Sequence, residues 1–230
     1  RAVSTFGSDV VLRVERLPST RMDDSLGLLG PEPTFFCPVA SESLEDFNKT
    51  LEVAQTQLDE LNTSAASSGL AGLGHRLTCL DAAPDNERLW SMHFLGALLA
   101  TLQGDDAAVE EALHSALVYR PGEAYDASYP PSLGDRYRAL QGEVLAAHTA
   151  HVHAGVGPGW TLWIDGRRIA ADTTALVPGR HLIQLRTSEG LRGFFVQLAA
   201  GEQMVVGPPA NLGTLAGELR RDERDALSRQ

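Results

Sequence analysis

The spacing of apolar residues divides the chain into stretches that follow different periods. Near the start, Val10-Val11-Leu12-Arg13-Val14-Glu15 alternates in its second half, which predicts a strand within residues 3–17. Pro18, Gly27, Gly30, Pro31, Pro33 and Pro38 break residues 18–40 into an irregular connection. The period then changes at Ser41 or Ser43. Leu44, Phe47, Leu51, Ala54, Leu58 and Leu61 recur at steps of three and four, which puts them on one helix face. Glu45, Lys49, Glu52, Asp59 and Glu60 fall elsewhere on that helix. The serine-rich stretch 63–68 is expected to interrupt it, and Leu70, Leu73, Leu77 and Leu80 to form a second short stripe.

Pro84 suits the first turn of a third helix that runs through Leu89, Trp90, His93, Phe94, Ala97, Leu98 and Leu102 to a stop at Gly104. Asp105 can cap a fourth, with Val109, Leu113, Ala116 and Leu117 inward and Pro121 at its end. After a Tyr/Pro loop at 122–131, Ser132 is expected to cap a fifth helix carrying Leu133, Tyr137, Leu140, Val144 and Leu145. Helices joined by loops this short pack as antiparallel pairs. Gly155, Gly157, Pro158 and Gly159 then read as a hinge, and two-residue alternation begins. Trp160–Ile164 is a strand meeting Asp165-Gly166, the strongest short hairpin signal, and further strands follow at 167–169, 181–186, 193–198 and 203–206. Residues 211–230 read as a terminal helix with Leu212, Leu215, Leu219 and Leu227 on one narrow stripe. The fold class is therefore α+β. An N-terminal strand and irregular segment (1–40) precede a helical-hairpin domain (41–153), a small antiparallel β-sandwich-like domain (155–207) and a C-terminal helix (208–230).

Two of these stretches carry motifs. Gly96-Ala97, Gly104-Asp105, Leu113, Ala116-Leu117 and Pro121 fall where a tetratricopeptide repeat has its small and turn residues, so Leu95–Pro121 resembles one such repeat. The large aromatic usual near the start of the second helix is missing. Leu162–Gly166 as a strand plus "DG", Pro178-Gly179-Arg180-His181 as a "PGxH" turn, and Ala200-Gly201 before a last strand make residues 155–207 resemble a PEGA-type domain. Residues 170–176 depart from that pattern. The PEGA resemblance implies a β-sandwich-like module of bacterial envelope proteins and a structural role for His181.

Composition narrows the function. The 230 residues are 43% hydrophobic but only 6% aromatic, so the core is mostly aliphatic, and no apolar run is long enough to span a membrane directly. Net charge is −11, and all of it sits in residues 41–150, which hold seventeen acidic and six basic side chains. A nucleic-acid partner would work against that field. The chain opens at Arg1 with no leader of its own, consistent with a removed signal peptide or a trimmed chain. Cys37 and Cys79 are too far apart for a CxxC site. In an exported protein they would form one disulfide, and in a reducing compartment two buried thiols.

Candidate chemistry is sparse. His148, His151 and His153 form an H-x-x-H-x-H set; if the fifth helix reaches His151, the first two lie one turn apart and could share a metal. His93 and His114 could face each other across a hairpin, which is the footing for an enzyme of unknown class. Asp105, Asp106, Glu110 and Glu111 make an acidic helix end, and Tyr125, Tyr129 and Tyr137 flank a proline loop as a possible recognition surface. No phosphate loop, G-x-S-x-G elbow, H-E-x-x-H or dinucleotide fingerprint occurs. The reading is a non-enzymatic, periplasmic or otherwise exported scaffold without a cofactor. Its acidic helical surface would bind another envelope protein or a cell-wall-associated assembly. A metal-binding protein built on the three histidines is the alternative.

Overall fold

A computed structural model describes residues 2–6, 10–16, 42–155, 159–170, 173–187 and 190–207. The irregular segment 18–40, most of the glycine-rich hinge and the expected C-terminal helix lie outside these residues. Cys79 is disulfide-bonded, and the sequence offers one other cysteine, Cys37, which also lies outside them.

The helical layer begins with α1 (Leu44–Asp59), capped by the Ser43 hydroxyl, which accepts from the Glu45 and Asp46 amides. Phe47, Leu51, Ala54 and Leu58 are its buried face. The helix closes in a Schellman turn, Leu61 N–H to Leu58 O at 2.9 Å and Asn62 N–H to Gln57 O at 2.8 Å, with Leu61 at φ 59° where glycine is usual. Helix α1 ends ahead of the serine-rich stretch, as expected, but the stretch is itself a helix, α2 (Thr63–Leu70), capped by Asn62. Its small side chains have a packing reason. A β-carbon on Gly69 would touch the Ala54 β-carbon at 3.5 Å, and Ala66 is fully buried against the same core as α1. The expected second stripe is broken into the end of α2, a single turn α3 (Leu73–Arg76) and a 3₁₀ turn at Leu77–Cys79, yet Leu73, Leu77 and Leu80 are all fully buried. Residue 42 is tied to this turn, with Glu42 N–H to Cys79 O and Asp81 N–H to Glu42 O each 2.8 Å and an Arg76–Glu42 ion pair alongside.

Helix α4 (Asn86–Gln103) is capped by Asp85 and ends at Gly104, whose φ of 72° is the left-handed conformation that costs glycine least. Asp105 caps α5 (Asp106–Tyr119) at once, so the two helices fold back antiparallel, with Gly96 of one against Ala112 of the other. Helix α6 (Pro131–Ala146) starts one residue before the expected Ser132 cap, because Pro131 occupies its first turn and Pro130 is the flanking residue. Phe94, Ala97, Val109, Leu113, Leu117, Leu133 and Tyr137 close the core between α4, α5 and α6.

The strands form two sheets. β1 (Ala2–Phe6), β2 (Val10–Arg16), β9 (Gln203–Gly207), β3 (Ala150–Ala154) and β6 (Thr173–Leu176) lie in the order β1-β2-β9-β3-β6, with β3 and β9 parallel. β5 (Arg167–Ile169), β4 (Thr161–Ile164), β7 (Gly179–Thr187) and β8 (Gly190–Leu198) form the second, antiparallel sheet in the order β5-β4-β7-β8. The N-terminal strand expected within 3–17 is thus two strands, and β2 pairs with β9, Arg13 opposite Gly207 through Arg16 opposite Met204. A strand without a neighbour would be unstable, and β9 supplies one. Strand β3 also moves the helix-to-strand switch. It begins at Ala150, so the boundary drawn between 153 and 155 cuts a strand away from its own sheet. The reason is that α6 stops at Ala146, ahead of the histidine-rich segment.

Alternate residues of both sheets meet in one apolar core: Val152, Ala154, Met204 and Val206 from the first, and Leu162, Ile164, Ile183, Leu185, Phe194 and Val196 from the second. The second sheet is covered on its other face as well. Leu182 of β7 belongs to the helical core of Phe47, Leu51, Leu77 and Leu89, with Phe195 of β8 packed beside it. The protein is therefore three layers deep, with helices on sheet on sheet, and the two expected domains share an interface. Contact there is close enough to require glycine. A β-carbon at Gly193 would lie 3.0 Å from Thr78 Cα, and one at Gly166 would collide with the Pro84 carbonyl oxygen and sit 2.7 Å from Asp85 C.

Gly193→Val is expected to lower stability by about 1–3 kcal/mol in urea titrations, since overpacking must part the layers. Gly142→Ala, where nothing lies within 4 Å of the added carbon, should instead raise it by roughly 0.5–1 kcal/mol. Equal midpoints for Gly193→Val and the parent would contradict the close approach.

Candidate functional site

The tyrosine loop between α5 and α6 is held by its own aromatic rings. Tyr137 is fully buried, and its hydroxyl donates to Glu123 O at 3.0 Å. Tyr125 donates to Pro130 O at 2.7 Å, and its ring fills the space that a side chain at Gly134 would need. Phe94 lies at the centre, with Trp90 stacked on it at 4.7 Å and Tyr129 edge-on at 4.9 Å. Tyr125, Tyr129 and Tyr137 therefore anchor the loop to the helical core, Tyr137 fully buried and Tyr125 and Tyr129 partly exposed. Rings that can bury against Phe94 gain more than they would exposed to water.

The acidic end of α5 divides by role. The Asp105 carboxylate accepts from the Ala108 amide at 3.0 Å as the helix cap, and Asp106 pairs with Arg136 of α6 at 2.6 Å. Glu110 and Glu111 follow one turn later, exposed to solvent.

His93 and His114 do not meet. His114 is exposed, because it lies beside Leu113 on the side of α5 turned away from α4. His93 stacks on Tyr119 with ring centroids 5.4 Å apart. Enclosure of its imidazole, helped by the Arg180 guanidinium, lowers its pKa from 6.5 to about 4. Burial, with Asp165 adding to it and Arg180 opposing, raises that of the Tyr119 hydroxyl.

These groups lie over the pair that joins the layers. Asp165 and Gly166, at φ 52° and 75°, form the tight turn from β4 to β5. The turn returns the Asp165 carboxylate to β7, where one oxygen accepts from the Leu182 amide at 2.9 Å and the other lies 2.6 Å from His181 Nδ1. Nε2 of the same ring donates to the Val177 carbonyl at 2.8 Å. A carbonyl can only accept, so that nitrogen carries a proton, and one further proton is held between Nδ1 and the carboxylate. Both imidazole nitrogens are engaged and the residue is fully buried. His181 has no nitrogen left for a substrate; its work is to fasten the "DG" turn to the start of β7. Gly179, two residues before it, meets Val118 of α5. The sequence shows the turn and the histidine separately, and their pairing follows only from register.

The histidine-rich segment is not a helix end. His148 is exposed in the loop after α6, while His151 and His153 are on β3. The helix-based arrangement of the three fails because Ala147 already has an extended backbone. His153 is nine-tenths buried, and its Nδ1 lies 3.0 Å from Thr173 Oγ1 of β6. Desolvation foremost, then the neighbouring His151, lowers its pKa, against the opposing influence of a side-chain hydrogen bond to Gln203. Among the described residues, no three His, Cys, Asp or Glu side chains gather in a way that could hold a metal. Nor, among those residues, is any helix long and apolar enough to cross a membrane.

Comparison with protein-family models, curated proteins and solved structures finds no match. The assignment of a role rests on the residues themselves.

Two outcomes follow. Asp165→Ala leaves His181 buried without its partner and is expected to cost about 3–5 kcal/mol in denaturant titrations; a loss under 1 kcal/mol would deny the pair its fastening role. His93 is neutral when folded down to about pH 4, whereas in the unfolded chain it takes a proton near 6.5. The unfolded state therefore binds more protons between those values, and stability falls as pH drops through the window, by up to about 1.4 kcal/mol per unit from this group. Thermal scans of His93→Gln against the parent should show a shallower decline between pH 6.5 and 4.

Proposed function

We propose that this chain is an exported, non-enzymatic scaffold protein of a bacterial cell envelope. In this reading the outer side of its helical layer binds another envelope protein or a cell-wall-associated assembly. The observation that carries the reading is the division of the α4–α5 hairpin. One side is committed to α6 and to the sandwich through Leu117, Val118 and Tyr119, all buried. The other turns Glu110 and Glu111 to water beside Asp105 and Asp106. With Asp106 paired to Arg136, Asp105, Glu110 and Glu111 leave that side with an acidic excess, which attracts a basic segment and speeds its encounter. Placement in the envelope is supported by the PEGA-like residues Leu162–Gly166 and Pro178–His181, and by the disulfide at Cys79, a bond that persists in oxidising compartments. The TPR-like pattern of Leu95–Pro121 supports the same kind of role.

The test is co-purification from native envelope fractions with the parent and with a Glu110→Arg/Glu111→Arg variant. The parent should retain a partner carrying a basic segment, and the variant should recover about tenfold less of it, as should the parent at raised salt. Equal recovery by the variant would remove the acidic face from the interaction, and a protein found wholly in the cytoplasmic fraction would remove the envelope.

A further inference from the structure

The arginines divide by layer. In the helical layer, Arg76, Arg88, Arg120, Arg136 and Arg138 each sit against a carboxylate. In the second sheet, Arg167, Arg168, Arg180, Arg186 and Arg192 have no carboxylate partner among the described residues. Asp165, in the turn between β4 and β5, is committed to His181.

Two of these arginines flank one aromatic ring. Leu162 and Ile164 point into the sandwich core, so alternation puts Trp163 on the face turned toward the helices. That face is covered at β7 and β8, where Gln184 reaches the 3₁₀ turn and Gly193 meets Thr78. Register sets Trp163 between Gln184 and Arg168. Trp163 therefore stands where the cover ends, half-buried, with Arg168 exposed beside it on the edge strand. The Arg186 guanidinium lies 5.8 Å from the centre of the same ring. The Asp81 carboxylate nearby accepts from the Leu44 amide at 2.9 Å, and Arg186 bonds the Asp81 main-chain oxygen instead.

An aromatic centre rimmed by guanidinium groups without carboxylates suits a partner that is apolar at its middle and acidic around it. The α4–α5 turn has that composition. Leu102 is half-exposed just before Gly104, and Asp105, Glu110 and Glu111 supply an acidic excess, Asp106 being paired with Arg136. The two patches cannot meet within one molecule. Gly166, in the β4–β5 turn, abuts Pro84, Asp85 and Asn86 at the start of α4, and the acidic turn closes the far end of that helix. Its 18 residues, at about 1.5 Å each, hold the two ends about 27 Å apart.

We propose that the shelf formed by Trp163, Arg168 and Arg186 receives the α4–α5 turn of a second copy of this chain, head to tail. This rests on a binding role for the acidic side, as in the proposed function, but not on the envelope or on any other protein. The two patches differ, so the contact is heterologous, and its repetition gives rings or open chains. A net charge of −11 on each copy opposes association at long range. At about 0.15 M salt the Debye length is roughly 8 Å, so charges remote from the contact are screened more than those facing across it.

The test is analytical sedimentation of the purified full chain at that salt, from about 10 µM to about 1 mM. The weight-average mass of the parent should climb with concentration. Arg168→Glu and Glu110→Ala/Glu111→Ala should each weaken association at least about tenfold. An equimolar mixture of these two variants still holds one intact shelf and one intact turn, and should form a complex containing one copy of each. All three substituted residues are exposed, and unchanged thermal midpoints confirm that both variants fold. A parent that stays monomeric throughout, association untouched by either variant, or a mixture that stays monomeric would each overturn the proposal. None of these results alters the recovery of a different protein from envelope fractions, so the two readings fail separately.

Discussion

Strand β7 is covered on both faces, and the other layers are organised around that constraint. His181 through Leu185 are all buried, alternately toward the first sheet and toward the helices. A strand in that position must have neighbours on both edges, which β4 and β8 provide, because no water reaches its peptide groups. Its polar side chains must also find partners inside. His181 does so with Asp165 and Val177, and the Gln184 amide donates to Leu77 O in the 3₁₀ turn at 3.2 Å. That last bond spans the boundary between helices and sheet. It makes the amide of one β residue part of the helical layer's closure.

Charge is distributed by layer in the same way. The acidic excess is confined to the helical segment, and the sandwich carries arginines whose flat guanidinium groups lie over aromatic rings, Arg180 on Phe195 at 4.0 Å and Arg186 on Trp163 at 5.8 Å. Arg186 also donates to Asp81 O at 3.0 Å, where the chain passes from the 3₁₀ turn toward α4. Arginine suits such positions better than lysine, since one planar group can stack and donate at once.

Much of this was legible in the chain because local chemistry and final structure agree there. Ser43, Gly104 and Asp105 delimit helices by capping, whereas Pro84, expected in the first turn of its helix, lies ahead of the Asp85 cap. The stripe from Leu44 to Leu58 packs on the core as its spacing indicates, but Leu61 lies past the helix end and is exposed. Asp165-Gly166 makes the expected hairpin. What the spacing could not reveal depends on contacts between distant residues. The serine-rich α2 is helical because small side chains let it lie close on α1, an advantage invisible to periodicity. The tyrosine loop reads as a surface until Phe94 is placed beneath it. His151 and His153 looked like a helix end because nothing nearby marks Ala147 as the stop; only pairing with β6 and β9 makes them a strand. The histidines were visible in the sequence, while the partners of His153, Thr173 and Gln203, needed the sheet register to find.

The first sheet is assembled from segments far apart in the chain. Its middle strand, β9, is the last of the described strands in chain order, yet β2, about 190 residues earlier, and β3 both hydrogen-bond to it. Until residue 203 emerges, β1 and β2 can pair only with each other, and one edge of each of β2 and β3 stands open. Sheets closed by such remote pairing form slowly. The helical layer, built from neighbours in sequence, can be complete while the sheet still waits, so the nascent protein passes through a stage with finished helices and a gap where β9 belongs. Open edges of that kind invite pairing with other chains, and the protein's yield should therefore depend on how quickly β9 reaches its place between β2 and β3.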